Sequence, residues 1–215
     1  ALTNKEVKNL LPLVFEEAEN LSHKIFAHLN EDFNIYEALH ETTFLIIGNA
    51  LLGEESEWLK ENMTSLKEAF KKGLQADYRK TEEGKEAEKI MHSFSQDCFK
   101  RARSQNSQER NSVIDLLLKE DPKSPYYQNE ALRHEELMTL IFAGHETTAN
   151  TLAWLLYELA KNKDQQALLQ KEILDYLKGR KAQSLSFNEF KNIPLLTSAI
   201  REILRLWPVV ANGSF

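Results

Sequence analysis

The sequence predicts a mainly α-helical fold, and three features of the chain support this prediction. First, only seven Gly and five Pro occur in 215 residues, and they separate long segments rich in strong helix formers such as Leu, Ala, Glu and Lys. Second, apolar residues recur at spacings of three and four, the period of one helix face. Third, 129–162 contains no Pro and only one Gly, which predicts one long central helix of roughly 45 Å at ~1.5 Å per residue.

The remaining helices follow from periodicity and from start and stop signals. Pro12 is a potential break in the first helix, Gly53 ends the second, and the segment around Gly84 separates the third from the fourth. Asp164 is a candidate N-cap, and Pro194 is suited to the first turn of the last helix. The predicted helices are 4–29, 35–52, 56–78, 82–104, 107–120, 129–162, 164–177, a short turn at 187–191, and 195–207.

Composition excludes several classes of function. The net charge of −6 argues against a nucleic-acid surface, and 42% hydrophobic with 28% charged residues is the balance of a globular domain. A single cysteine, Cys98, excludes an internal disulfide framework and a multi-cysteine metal site, so we expect a buried, inert thiol. No N-terminal targeting pattern is visible.

The long helix is apolar on nearly every face at both ends of "LMTLIFAGHETTANTLAWLLYELA", which requires surrounding protein or lipid. A membrane span would place the carboxylate of Glu146 near the bilayer centre, where it is costly. We therefore predict a buried helix whose polar cluster lines an internal cavity.

The letters HETT occur twice, at 40–43 and 145–148, with different flanks. Ala143 and Gly144 precede the second copy, and Gly in a helix interior costs about 1 kcal/mol relative to Ala, so an open side of the helix is expected there. In the first copy Leu39 takes the position of Gly144, which predicts an ordinary packed helix. A zinc site of the H-E-x-x-H kind is excluded because Ala149 stands where the second His would be.

The residues of the second HETT copy also suit two different roles. They can form a satisfied polar cluster in a helical core, within a non-enzymatic helical interaction module. They can also belong to a non-haem metal enzyme that uses His145 and Glu146. A second pattern, "REILRLWP" at 201–208, places Glu202 and Arg205 three residues apart on an otherwise apolar helix. This spacing predicts a structural ion pair, partly buried.

The two patterns together resemble the cytochrome P450 family of haem-thiolate monooxygenases. "AGHETT" is similar to the family's central oxygen-binding helix, A/G-G-x-D/E-T-T, and "EILR" followed by "LWP" is similar to its E-x-x-R helix. These specific motifs lie within 137–210, while 4–104 is similar to the helices that roof the substrate pocket. The resemblance implies the central helical part of the P450 fold, as an incomplete single domain over 1–215.

The resemblance also assigns roles to individual residues. Ala143, Gly144 and Thr147 are expected to lie against the haem, Glu146 and Thr147 to form the catalytic acid–alcohol pair, and 209–210 (Val209 and Val210) to border the substrate pocket. The residue types agree with these roles, since a small-residue gap beside a carboxylate and a hydroxyl suits a reaction that consumes protons.

The resemblance further implies haem (iron protoporphyrin) as cofactor, O2, a small apolar organic substrate, and NAD(P)H electrons delivered by a reductase or ferredoxin. The family's iron-binding cysteine loop, F-x-x-G-x-R-x-C-x-G, is not matched here, and Cys98 lies far upstream in a helical pattern without the glycines. No metal ligand is therefore expected in this chain. We expect an internal part of a longer enzyme, inactive alone, located in the cytoplasm or on the cytoplasmic face of a membrane.

Overall fold

The computed structural model describes residues 10–53, 56–73, 80–104, 112–119 and 121–210. Helices account for most of these residues and no strand occurs among them, so the predicted mainly α fold is confirmed. Two short 3₁₀ turns, Ala182–Ser184 and Glu189–Asn192, precede the last helix. The α-helices are α1 (Leu11–Ala27), α2 (Ile35–Leu52), α3 (Ser56–Gly73), α4 (Glu82–Ser104), α5 (Val113–Leu118), α6 (Pro125–Gln128), α7 (Glu130–Lys161), α8 (Lys163–Leu177) and α9 (Pro194–Leu206).

The long central helix is present as predicted. α7 has 32 residues and both of its ends agree with the sequence analysis within one residue. α2 has its predicted bounds, and Gly53 ends it with a φ of 67°, a conformation that other residues rarely adopt. The Gly53 N–H donates to the carbonyl of Asn49 at 2.7 Å. Uninterrupted helix formers and a glycine terminator were therefore sufficient signals for these two elements.

α1 is shorter than the predicted helix at 4–29. It begins at Leu11 and ends at Ala27, while residues 4–9 lie outside the described ranges. Pro12 does not break the helix because it lies in the first turn, where a missing N–H removes no helical hydrogen bond. The predicted extensions at 74–78, 107–111 and 120 also lie outside the described residues.

Two local predictions are wrong, and one short helix was not predicted. Gly84 lies buried inside α4, not between helices, because the Thr81 hydroxyl accepts its N–H at 3.0 Å and so caps the helix upstream. Asp164 lies in the first turn of α8, which begins two residues earlier than a cap at Asp164 would allow, because Asn162 is at the N-cap position. The short helix α6, which was not predicted, begins at Pro125, with Ser124 Oγ accepting the Tyr126 N–H at 3.3 Å.

The chain divides into two compact units, which we call the terminal unit (Ala1–Thr43 and Glu146–Phe215) and the central unit (Phe44–His145). In the central unit α3 packs along α4, and the core contains residues of α2, α3, α4, α5 and α7. Cys98 belongs to this core and is 1% exposed, as predicted for a buried thiol. Each fully buried Leu, Ile, Phe or Met side chain in this core stabilises the fold by about 1.5–3 kcal/mol.

In the terminal unit α8 packs against α9. Leu155, Leu169, Ile193 and Ile203 are buried there, and the ring of Phe15 in α1 lies 6.0 Å from that of Phe190. Among the described helices, α7 included, none has a stretch both long and apolar enough to span a bilayer.

Candidate functional site

Ala143 and Gly144, the small residues before the second HETT copy, have different surroundings in the central unit. Ala143 is exposed and continues the exposed stripe of Glu135 and Thr139, each one turn apart on α7. A Cβ placed on Gly144 would collide with Ile47 of α2, approaching its Cδ1 to 2.7 Å. The prediction of an open side at Gly144 is therefore wrong in the direction of its missing side chain, because Ile47 fills that space. Of the two small residues, Ala143 is exposed and Gly144 is partly exposed.

His145 is a buried core residue of the central unit. Its ring lies 5.7 Å from the rings of Phe44 and Phe70 and 6.1 Å from that of Phe142. The Nδ1 atom is 3.0 Å from the Ile141 carbonyl oxygen, which can only accept, so Nδ1 carries the proton. This environment gives His145 a packing role.

Glu146, the candidate catalytic acid, has partners for both carboxylate oxygens within the terminal unit. Oε2 lies 3.4 Å from His40 Nδ1, and Oε1 accepts a hydrogen bond of 3.2 Å from the Asn150 amide, which also donates to the Glu146 carbonyl at 2.8 Å. The Glu146 side chain is 28% exposed and that of His40 only 3%. Each carboxylate oxygen thus has a partner, and the side chain remains partly exposed.

The electrostatic effect of Glu146 reaches a neighbouring tyrosine. The Tyr36 ring lies 4.3 Å from the His40 ring. Partial burial raises the pKa of Tyr36, and the negative charges of Glu146 and Glu37 raise it further, because all three disfavour the phenolate. Tyr36, His40 and Glu146 therefore form one coupled polar group.

Thr147, the candidate catalytic alcohol, is half-buried beside Glu146 on α7. Its carbonyl accepts a hydrogen bond of 2.9 Å from Thr151 Oγ1, one turn later. Such back-bonding satisfies the Thr151 hydroxyl within the helix. The predicted acid and alcohol are thus consecutive residues of α7, and both have partial solvent access.

The first HETT copy makes a different set of contacts. Glu41 pairs with Lys24 of α1 at 2.7 Å, and Thr43 Oγ1 donates to the Leu39 carbonyl at 2.9 Å. Leu39 is buried, as expected for the filled counterpart of Gly144. The copy is therefore a packed helix surface, except that His40 contacts Glu146. Nothing in the sequence around His40 indicates this contact.

Glu202 and Arg205 form the predicted ion pair. Two hydrogen bonds, of 2.7 and 2.8 Å, join the guanidinium to both carboxylate oxygens. Arg205 lowers the pKa of Glu202, mainly by hydrogen bonding, and Glu202 raises that of Arg205. The expected partial burial is not found, because the side chains are 53% and 66% exposed while Ile203 takes the buried side of α9.

The end of α9 contacts α7 through an aromatic stack that the sequence analysis missed. The rings of Trp207 and Trp154 are parallel within 2° at 4.0 Å, and Trp207 Nε1 donates to Glu158 Oε1 at 3.2 Å. The spacing of Thr147, Trp154 and Glu158 puts them on one helix face, a signal that could have indicated a shared surface. The stack joins the two motif-bearing helices within the terminal unit.

Val209 and Val210 follow α9 directly. Val209 is half-buried and Val210 is exposed. Their expected place at a substrate pocket stays a prediction.

The chain matches a known protein family over almost its whole length. The family model described as Cytochrome P450 matches residues 1–214. The chain is similar to Cytochrome P450 4F5 of Rattus norvegicus, with 31% identity over 125 residues, which are 58% of this chain and 24% of that protein. It is also similar to Leukotriene-B4 omega-hydroxylase 3 of Mus musculus, with 37% identity over 95 residues, 44% of this chain and 18% of that protein.

A solved structure shows the same fold. Retinoic acid bound cyanobacterial CYP120A1 superposes with a TM-score of 0.77 and 19% sequence identity, covering 97% of this chain and 47% of that chain. The chain therefore spans about half of that structure, and its alignments cover a quarter or less of these two curated relatives.

Proposed function

This chain belongs to the cytochrome P450 family, and we propose that the complete protein is a haem-dependent monooxygenase. Such an enzyme transfers one atom of O2 to an organic substrate and releases the other as water, consuming two electrons and two protons. The observation that carries the proposal is the adjacent carboxylate and hydroxyl of Glu146 and Thr147 on α7, both partly exposed. A proton-consuming reduction requires groups of this kind.

We propose that residues of α7 lie against one face of the haem. Ala143 is exposed on α7 with no side-chain bulk beyond Cβ, so a flat group can approach the helix there. Thr147 follows one turn later. Gly144 does not contribute in the direction of its missing side chain, since Ile47 occupies it. We therefore assign the haem contact to Ala143 and Thr147.

Cys98 does not fit the role of iron ligand. The thiolate must reach the iron, whereas Cys98 is 1% exposed in the core of the central unit. The proposal therefore assigns the ligand to a cysteine outside this chain.

The residues of this chain supply protons. When bound, haem supplies the iron at which O2 is activated. Thr147 Oγ1 would pass its proton towards the haem face and regain one from the carboxyl group of Glu146, which is then reprotonated by water because its side chain is 28% exposed. Positioned proton transfer of this kind is typically worth ~10²–10⁴-fold in rate.

The substrate and partners are proposed from the family and its relatives. We expect a small apolar organic substrate at Val209 and Val210, with electrons passing from NAD(P)H through a reductase or ferredoxin. One relative is named a leukotriene-B4 omega-hydroxylase, so molecules of that class are the first to test. The proposed location is the cytoplasm or the cytoplasmic face of a membrane.

The test is the spectrum of the complete protein, purified with haem, reduced and exposed to carbon monoxide. The proposal predicts the Soret band of a thiolate-ligated haem. The 215-residue chain alone should show no such band, because Cys98 is buried. A histidine-type spectrum for the complete protein, or no haem at all, would remove the proposed function and favour a helical interaction module.

A further inference from the structure

Within the terminal unit, a residue of the first HETT copy contacts a residue of the second. His40 Nδ1 lies 3.4 Å from Glu146 Oε2, within ion-pair distance, and the His40 side chain is 3% exposed. Glu41, the acid of the first copy, pairs with Lys24 at 2.7 Å. The two glutamates of the repeated motif therefore have different partners.

The position of His40 is fixed from more than one side. The Tyr36 ring lies 4.3 Å away at an angle of 50°, and Ala38 and Leu39 beside it on α2 are buried. A buried imidazole in these surroundings has few alternative rotamers. It is therefore a rigid partner for a carboxylate that keeps a partly exposed side.

We propose that His40 is the positioning residue of Glu146, so that the first HETT copy orients the acid of the second. The inference rests on the proposed function, in which Glu146 supplies protons. A Glu side chain has three rotatable bonds, and fixing a side chain of this type costs up to about 1.5–2 kcal/mol of entropy. His40 on Oε2 and Asn150 on Oε1 hold the carboxylate at two atoms, which leaves the proton-transferring lone pairs in one orientation.

The arrangement accounts for a feature of the sequence that catalysis alone does not explain. Thr147 and Glu146 require no second copy of the motif. His40 lies on α2 beside Leu39, which is buried. Leu39 corresponds in the first copy to Gly144 in the second. The repeat is thus used asymmetrically, with one copy as the proton-supplying pair and the other as its support.

The experiment compares four variants of the complete haem-loaded protein. His40→Leu removes the contact with Glu146, and His40→Asn keeps a donor near the position of Nδ1. Glu146→Gln is the reference for loss of the acid. His134→Leu is the matched control, since His134 is also buried and its Nε2 lies 3.9 Å from an acidic partner, Glu130 Oε1, in the central unit.

Two quantities are measured for each variant. The first is product formed per NAD(P)H consumed, with released peroxide. We expect His40→Leu to lower this coupling by about tenfold, the size of effect seen when a residue that orients a functional group is removed. His40→Asn should restore part of the coupling, and His134→Leu should not change it. The second is the ¹⁵N resonance of the His40 ring, which should shift in Glu146→Gln while that of His134 stays unchanged.

The outcomes separate this inference from the proposed function. Full coupling in His40→Leu together with uncoupling in Glu146→Gln would overturn the positioning role and leave the function intact. Equal uncoupling in His134→Leu would assign the effect to general destabilisation and also overturn it. Full coupling in Glu146→Gln would remove the proton-supplying role itself, and the inference with it.

Discussion

Substitution of Gly144 by Ala tests whether this glycine serves packing or cofactor approach. The added Cβ would lie 2.7 Å from Ile47 Cδ1 and 3.3 Å from Ile47 Cβ, closer than atoms can remain without movement. Overpacking of this kind costs about 1–3 kcal/mol, while Ala gains about 1 kcal/mol over Gly in helix propensity. We therefore expect Gly144→Ala to lower the free energy of unfolding by ~0–2 kcal/mol.

A double-mutant cycle isolates the contact. In the Gly144→Ala, Ile47→Ala protein the shortened side chain makes room, so we expect a favourable coupling energy of about 1–3 kcal/mol between the two sites. Chemical denaturation of the complete protein, followed by circular dichroism, measures it, and haem content is recorded in parallel. Gly73→Ala is the control, because among the described residues its Cβ would meet only Met91 Cε at 3.8 Å, an ordinary contact.

If Gly144 serves to accommodate Ile47, then Ile47→Ala restores both stability and haem content to the Gly144→Ala protein. Additive effects of the two substitutions would refute it. Loss of haem with unchanged stability would show instead that Gly144 is required for cofactor approach.

Three further predictions concern stability. Trp207→Ala should lower the free energy of unfolding by at least ~0.5–1.5 kcal/mol and remove the near-ultraviolet dichroism of the stack with Trp154, measured in the complete protein; an unchanged spectrum would contradict the stacked arrangement. Burial, followed by the charge of His92, lowers the pKa of His134. The unfolded chain therefore binds this proton at a higher pH than the folded protein, and stability is lost as pH falls below about 6.5. His134→Gln should flatten this pH dependence in denaturation at pH 5–7, and an equally steep profile would contradict the prediction. Arg205 lowers the pKa of Glu202, so the ion pair's contribution to the free energy of unfolding is fully present above the ordinary pKa of the carboxyl group. This contribution is lost as pH falls through the pKa of Glu202 in the folded protein. Glu202→Gln should abolish this loss, as measured by acid denaturation.

Elements governed by local signals could be predicted from the sequence. α7 follows from an apolar run without proline, and the end of α2 follows from Gly53. The positions of Glu146 and Thr147 on one helix, and the pairing of Glu202 with Arg205, also depend only on short spacings. Helical geometry converts such spacings directly into neighbours.

The contacts between distant residues could not be predicted in this way. Gly144 indicates that something lies close to the helix, but the sequence does not say whether it is a cofactor or Ile47. His40 and Trp207 carry no local mark of their contacts with Glu146 and Trp154. These depend on how helices pack, which the periodicity of a single segment does not determine.

The coupling of electrons to product tests the central claim most directly. This claim is that Thr147 belongs to the reaction site, whereas its counterpart in the first HETT copy does not. Thr147→Ala and Thr42→Ala are compared in the complete protein. We predict that Thr147→Ala binds haem and consumes NAD(P)H but releases peroxide in place of most product, because positioned proton transfer is lost. Thr42→Ala should keep full coupling and change stability by about 1 kcal/mol or less. Equal uncoupling in both variants, or in neither, would contradict the account.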